Sequence, residues 1–142
     1  MICNNDIVRR LRELREHKKL SRLNLAYDSE LATGLIARYE MYQTEPRLYN
    51  VMRLADSLGV TLKQLTGLPD GKCLQNETLG ERLLLALRRR NMTGRELAKR
   101  IGVKPNTISR YINDSRLDLN FLNIARIAEV LNVDLDWLCG RG

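Results

Sequence analysis

The sequence predicts an all-α protein built from two consecutive five-helix domains. Three features lead there. The composition is Leu-rich with only 5 % aromatic residues and three prolines, which favours helices over sheets. No segment sustains a period-two alternation of apolar and polar residues. The chain also repeats itself, with helix-start signals at matching places in both copies.

The repeat is read by sliding the chain against itself. Leu11 then meets Leu83, Leu20 meets Met92, Ser21 meets Thr93, and Leu25-Ala26 meets Leu97-Ala98. Ile36, Arg38 and Tyr39 meet Ile108, Arg110 and Tyr111. One inserted residue later, Leu54-Ala55 meets Ile127-Ala128 and Leu65-Thr66-Gly67 meets Leu138-Cys139-Gly140. The unit is too long for a solenoid repeat and marks a duplicated domain. Domains are expected at residues 1–67 and 78–142, with residues 68–77 as the linker. Gly67, Pro69 and Gly71 exclude a continuous helix through it. A linker of this kind is expected to let the domains approach without fixing their orientation.

In the first copy helices are expected at about 6–18, 22–29, 33–41, 48–58 and 62–65, with Ser21 and Thr61 as the clearest N-caps. In the second, Thr78 with Glu81 is a capping box opening a helix to about Asn91. Thr93 with Glu96 is another, opening a helix to Ile101, where Gly102 supplies a left-handed turn residue. A third helix follows over about 104–113, with Pro105 in its first turn. A fourth spans about 119–131. Asp134 is expected to cap a last short turn through Trp137-Leu138, with Asp136 as a solvated neighbour.

The formal net charge is +7. Residues 1–67 contribute +3 (11 Lys/Arg, 8 Asp/Glu) and residues 79–142 contribute +5 (12 and 7). Such an excess favours a polyanionic partner, because neutralising phosphates releases condensed counterions. Cys3, Cys73 and Cys139 are scattered and His17 is the single histidine, so no tetrahedral metal site is expected and a reducing cytoplasm is. Asp6, Arg9 and Arg10 stand where a signal peptide needs an apolar core, and no apolar run is long enough for a membrane span. There is no Gly-rich phosphate loop, no Cys–His pair and no inward carboxylate pair at a helical spacing, so no enzyme, cofactor or small-molecule ligand is expected.

The stretch from Met92 to Arg110, Met-Thr-Gly-Arg-Glu-Leu-Ala-Lys-Arg-Ile-Gly-Val-Lys-Pro-Asn-Thr-Ile-Ser-Arg, resembles the phage-repressor (Xre/Cro) helix-turn-helix family. Leu20 to Pro46 resembles it too, and the likeness extends through both sets of flanking helices. The resemblance implies lambda-repressor-like five-helix domains whose second and third helices form the motif, the third entering the major groove. It also implies that an Arg late in the first helix pairs with a Glu ending the third. The first copy has Arg15 and Glu40 there, and the second has Leu87 and Ile112, so both partners change together. The first copy departs from the pattern with Glu30 at the turn glycine and Tyr42 where a glycine follows the third helix.

The resemblance places base reading on Lys104, Asn106, Thr107, Ser109 and Arg110. Asn suits adenine, Lys or Arg suits guanine, and the Thr methyl suits thymine. In the first copy the corresponding surface is Thr33, Gly34, Leu35, Ala37 and Arg38. It is poor in donors, and only Thr33 and Arg38 are candidates; Leu35 is expected to be exposed. Phosphate contacts are expected from Arg22, Arg95, Arg47 and Arg116. The Arg88-Arg89-Arg90 run is expected to be a solvated helix C-terminus.

Together these imply a sequence-specific transcriptional regulator of double-stranded DNA in a bacterial or phage cytoplasm, reading chiefly through the second copy. It would act as a homodimer or as an intramolecular pseudo-dimer, with the last helices as an interface. The rival is an antitoxin-like or adaptor module that keeps the fold for protein contacts.

Overall fold

The computed structural model describes residues 2–69, 78–113 and 119–141. Within them the chain is helical: α1 Asn4–His17, α2 Arg22–Ser29, α3 Thr33–Glu40, α4 Leu48–Leu58, α5 Leu62–Thr66, α6 Leu79–Arg89, α7 Gly94–Ile101, α8 Pro105–Asn113, α9 Phe121–Leu131 and α10 Leu135–Leu138. Among the described residues extended pairing is confined to an isolated antiparallel bridge between Arg47 and Asn120.

The caps explain the boundaries. Ser21, Thr61, Thr78, Thr93, Asn120 and Asp134 each accept a backbone N–H with the side-chain oxygen at the start of a helix. Thr78 with Glu81 and Thr61 with Gln64 form full capping boxes. The first helix starts earlier than the sequence indicates, because Asp6 reaches back to the Cys3 N–H and forms a box around Cys3. The αL residue ending α7 is Gly102, as expected, but α2 ends on Glu30 at φ 58. The left-handed turn therefore forms without glycine there, and the same holds at Tyr42, with φ 60.

Five helix pairings recur in both halves. α1 packs on α3 and α5, α2 on α3 and α4, and α4 on α5; α6 packs on α8 and α10, α7 on α8 and α9, and α9 on α10. The Tyr39 hydroxyl accepts from Asn50 Nδ2 at 2.9 Å, and the Tyr111 hydroxyl accepts from Asn123 Nδ2 at 3.0 Å. Leu25, Ile36 and Leu54 in the first half, and Leu97, Ile108 and Ile127 in the second, are almost wholly buried.

The halves also touch. α4 packs on α9 and α5 on α10, and the buried apolar residues form one continuous cluster across them. The Leu48 N–H donates to the Leu119 carbonyl at 2.7 Å, and the Phe121 N–H donates to the Pro46 carbonyl at 3.1 Å. Each of these bonds is the other's counterpart under the repeat, so the seam has an approximate two-fold axis at Arg47 and Asn120. Orientation, left open by the linker composition, is set by this seam.

Candidate nucleic-acid interface

The surface around α8 is built by the helices beneath it. α7 buries Leu97, Ala98 and Ile101 and ends at Gly102. After the turn, α8 starts on Pro105, whose missing N–H costs nothing in a first turn. Ile108 and Tyr111 point inward, one turn apart. That fixes the opposite face outward: Lys104, Asn106, Ser109 and Arg110 are exposed and Thr107 is half-buried. The Arg110 guanidinium lies 6.0 Å from the Tyr111 ring centroid. Gly94 sits where α7 crosses α8, and a Cβ there would stand 3.3 Å from Ile108 Cγ2. The equivalent position in the first half is Arg22.

Residues 83–138 match the Helix-turn-helix family model. The match takes in most of α6 and all of α7 to α10. It indicates a DNA-binding helix-turn-helix regulator in general, a class that is not typically enzymatic. No curated protein and no solved structure matches the chain. Among the described residues, no group of His, Cys, Asp and Glu is arranged to hold a metal, and no helix is long and apolar enough to cross a membrane.

The basic residues expected at phosphates fare differently. Arg95 is exposed in the first turn of α7, and Lys99 and Arg100 are exposed further along it. Arg22 is tied down: its Nε donates to Glu40 Oε2 at 2.8 Å. Arg15 Nη2 reaches the other oxygen, Oε1, also at 2.8 Å, and Arg15 Nη1 donates to the Leu20 carbonyl. The Glu40 side chain is 1 % exposed, so two guanidiniums neutralise one buried carboxylate. Arg22 thus has a structural role, while its side chain stays 37 % exposed. In the second half Leu87 is buried and Ile112 packs partly buried against the core. Arg47 is exposed, but its backbone lies in the bridge at the seam. Arg116 lies outside the described residues.

In the first half Arg38 is exposed and Thr33 half-buried. Leu35, expected outside, instead packs half-buried against the core. The most exposed large apolar side chains are on α2, Leu23 at 66 % and Tyr27 at 88 %, with Met41, Tyr42 and Tyr49 also exposed. Their counterparts in the repeat are Arg95 and Lys99, and Asp28 stands opposite Arg100. The outer face of α2 is therefore apolar and acidic where that of α7 is cationic. The contrast is legible in the sequence, where Leu23, Tyr27 and Asp28 align with Arg95, Lys99 and Arg100. Glu30 is held by Arg53 Nη2 at 3.0 Å, and Arg53 stacks on Tyr49.

Asp136 departs most from expectation. It is 5 % exposed rather than solvated. Its carboxylate accepts the Leu62 N–H at 2.8 Å and the Lys63 N–H at 3.1 Å, at the start of α5 in the other half.

Proposed function

We propose that the chain is a sequence-specific double-stranded DNA-binding transcriptional regulator of the phage-repressor kind. It is made of two helix-turn-helix units, residues 1–67 and 78–142, joined through residues 68–77, and works as an intramolecular pseudo-dimer in a bacterial or phage cytoplasm. The observation that carries this reading is the exposed polar ridge from Lys104 to Arg110, standing on buried Ile108 and Tyr111 in a segment that matches a DNA-binding family. Asn106 and Lys104 read base edges, Arg110, Ser109 and Thr107 complete the surface, and Arg95 holds a phosphate. Support for a contribution from the first unit is thinner: Thr33 and Arg38 lie on α3, next to Gly34. The reciprocal seam bonds, Leu48 N–H to the Leu119 carbonyl and Phe121 N–H to the Pro46 carbonyl, support an equivalent role for α3 and α8.

The test is selection of preferred duplexes from a random pool, followed by a salt titration. One enriched sequence, and a log K that falls linearly with log salt, support the reading. No measurable duplex binding at low salt overturns it. That outcome would favour the protein-interaction module, for which exposed Leu23 and Tyr27 on α2 are the specific support.

A further inference from the structure

We propose that the seam is heterotypic: it accepts the first half against the second and rejects either half against itself. The inference rests on the pseudo-dimer reading and goes beyond it, because a seam that merely holds two related units together need not discriminate between them. Near an approximate two-fold axis, a residue faces the counterpart of itself. In a homotypic pair any charge there meets its own sign. The halves avoid this by differing at two nearby positions: Thr61 and Lys63 in the first stand where the second has Asp134 and Asp136.

The geometry around these positions is tight. Asp136 takes the Leu62 and Lys63 N–H groups, capping α5 with a carboxylate from the opposite half. Lys63 Nζ lies 2.7 Å from Asp134 Oδ2, and Asp134 is 3 % exposed. Arg141 Nη1 reaches Asp56 Oδ1 across the seam at 2.7 Å. At the other edge Arg126 and Glu129 of α9 grip both backbone groups of Ile2: Glu129 Oε2 accepts its N–H at 2.8 Å and Arg126 Nε donates to its carbonyl at 3.0 Å. The second half therefore holds the start of the first as well as its α5.

Exchange the partners and the contacts of Lys63, Asp134 and Asp136 fail, whereas Arg126 and Glu129 have Arg53 and Asp56 as counterparts, so the contacts of Ile2 and Arg141 do not discriminate by charge. Two second halves would bring two copies of Asp134 and two of Asp136 into one buried seam without Lys63. Two first halves would set Lys63 against Lys63 and leave the Leu62 N–H, part of a buried bond, without its acceptor. Like-charge juxtaposition is an established way to exclude a wrong partner. In functional terms, the chain presents two different reading surfaces in one order. Its preferred site is then asymmetric, and a palindrome of the second unit's half-site gains nothing from pairing through this seam.

The experiment is to insert a protease recognition sequence among residues 70–77 of the full chain, cut it, and measure the fragments by sedimentation and native mass. A single particle with one fragment of each kind is expected. Fragments that separate, or that pair with their own kind, overturn the proposal. Two charge reversals in the same cleavable chain extend the test. Asp136→Lys and Lys63→Glu are each expected to weaken pairing of the cut fragments by at least about tenfold. Lys63 is partly exposed, so its variant decides the matter if the Asp136 variant does not fold. Pairing unchanged in the folded variants overturns the proposal. Duplex binding by the uncut chain is recorded separately. Its failure would sink the DNA reading while the fragment result stood, and fragments that part while the uncut chain still binds DNA would sink only the heterotypic seam.

Discussion

Arg47 and Asn120 stand opposite each other in an antiparallel bridge, and they are aligned with each other when the sequence is slid against itself by 73 residues. The N–H of the next residue on each side, Leu48 or Phe121, donates to a carbonyl on the other strand. Each half thus meets its own counterpart at the point where its third helix hands over to its fourth.

Two substitutions separate base reading from phosphate holding. Asn106→Ala is expected to cost about 1–3 kcal/mol of binding and relax preference at one base pair. Arg95→Ala is expected to weaken all sequences alike and lower the salt slope by about one. Binding curves at several salt concentrations check both. Unchanged specificity after Asn106→Ala would move the reading surface elsewhere.

Glu40 holds two arginines in a buried setting, so its loss strands charge. Glu40→Ala is expected to destabilise the chain by about 3–5 kcal/mol, measured by denaturant unfolding. Replacing Arg15 and Glu40 together with Leu and Ile, the residues at the equivalent positions of the second half, is expected to recover most of that loss. A double variant as unstable as Glu40→Ala would refute the packing equivalence of the two halves.

Two glycines test packing in opposite directions. Gly80 of α6 lies against the α8 backbone, and a Cβ there would collide with the Ile112 carbonyl. Gly80→Ala is expected to cost about 1–3 kcal/mol or more through overpacking. Gly34 of α3 has nothing within 4 Å of an added Cβ. Gly34→Ala is expected to raise thermal stability by about 0.5–1 kcal/mol through helix propensity. If it also weakens duplex binding, α3 comes close to DNA.

Cys139 is wholly enclosed, and burial, reinforced by the charge of Asp136, pushes its thiol up to about 12. Unfolded, the same thiol ionises near its ordinary value of 9.0. The folded form then keeps a proton that the unfolded form releases. Its contribution to stability is complete below about pH 9 and is lost as pH rises towards about 12. Denaturant midpoints falling over that window, and a Cys139 thiol inert to alkylation until the chain unfolds, are the expected results. Rapid alkylation of Cys139 in the native state would contradict them.

Much of the fold was legible along the chain. The N-caps at Ser21, Thr61, Thr78, Thr93 and Asp134, the turn at Gly102 and the inward Ile108 are local signals, decided within a few residues. The exposed face from Lys104 to Arg110 follows from the same periodicity. Less legible were the side chains whose partners are distant. Arg22 looked free because Glu40 lies well along the chain from it. Leu35 looked exposed because helical spacing alone does not show how far the core reaches up its side.

The sequence by itself determined where most of the helices begin and end, that the second half carries a polar third helix, and that Arg15 and Glu40 change in concert with Leu87 and Ile112. Those are matters of local backbone chemistry and of one copy compared with the other. Only the tertiary structure decided that the halves share a seam, that Asp136 caps α5, and that Lys63 meets Asp134. The physical reason is distance along the chain. A carboxylate and a backbone N–H more than seventy residues apart leave no mark on helical periodicity, and their meeting depends on how two finished surfaces fit.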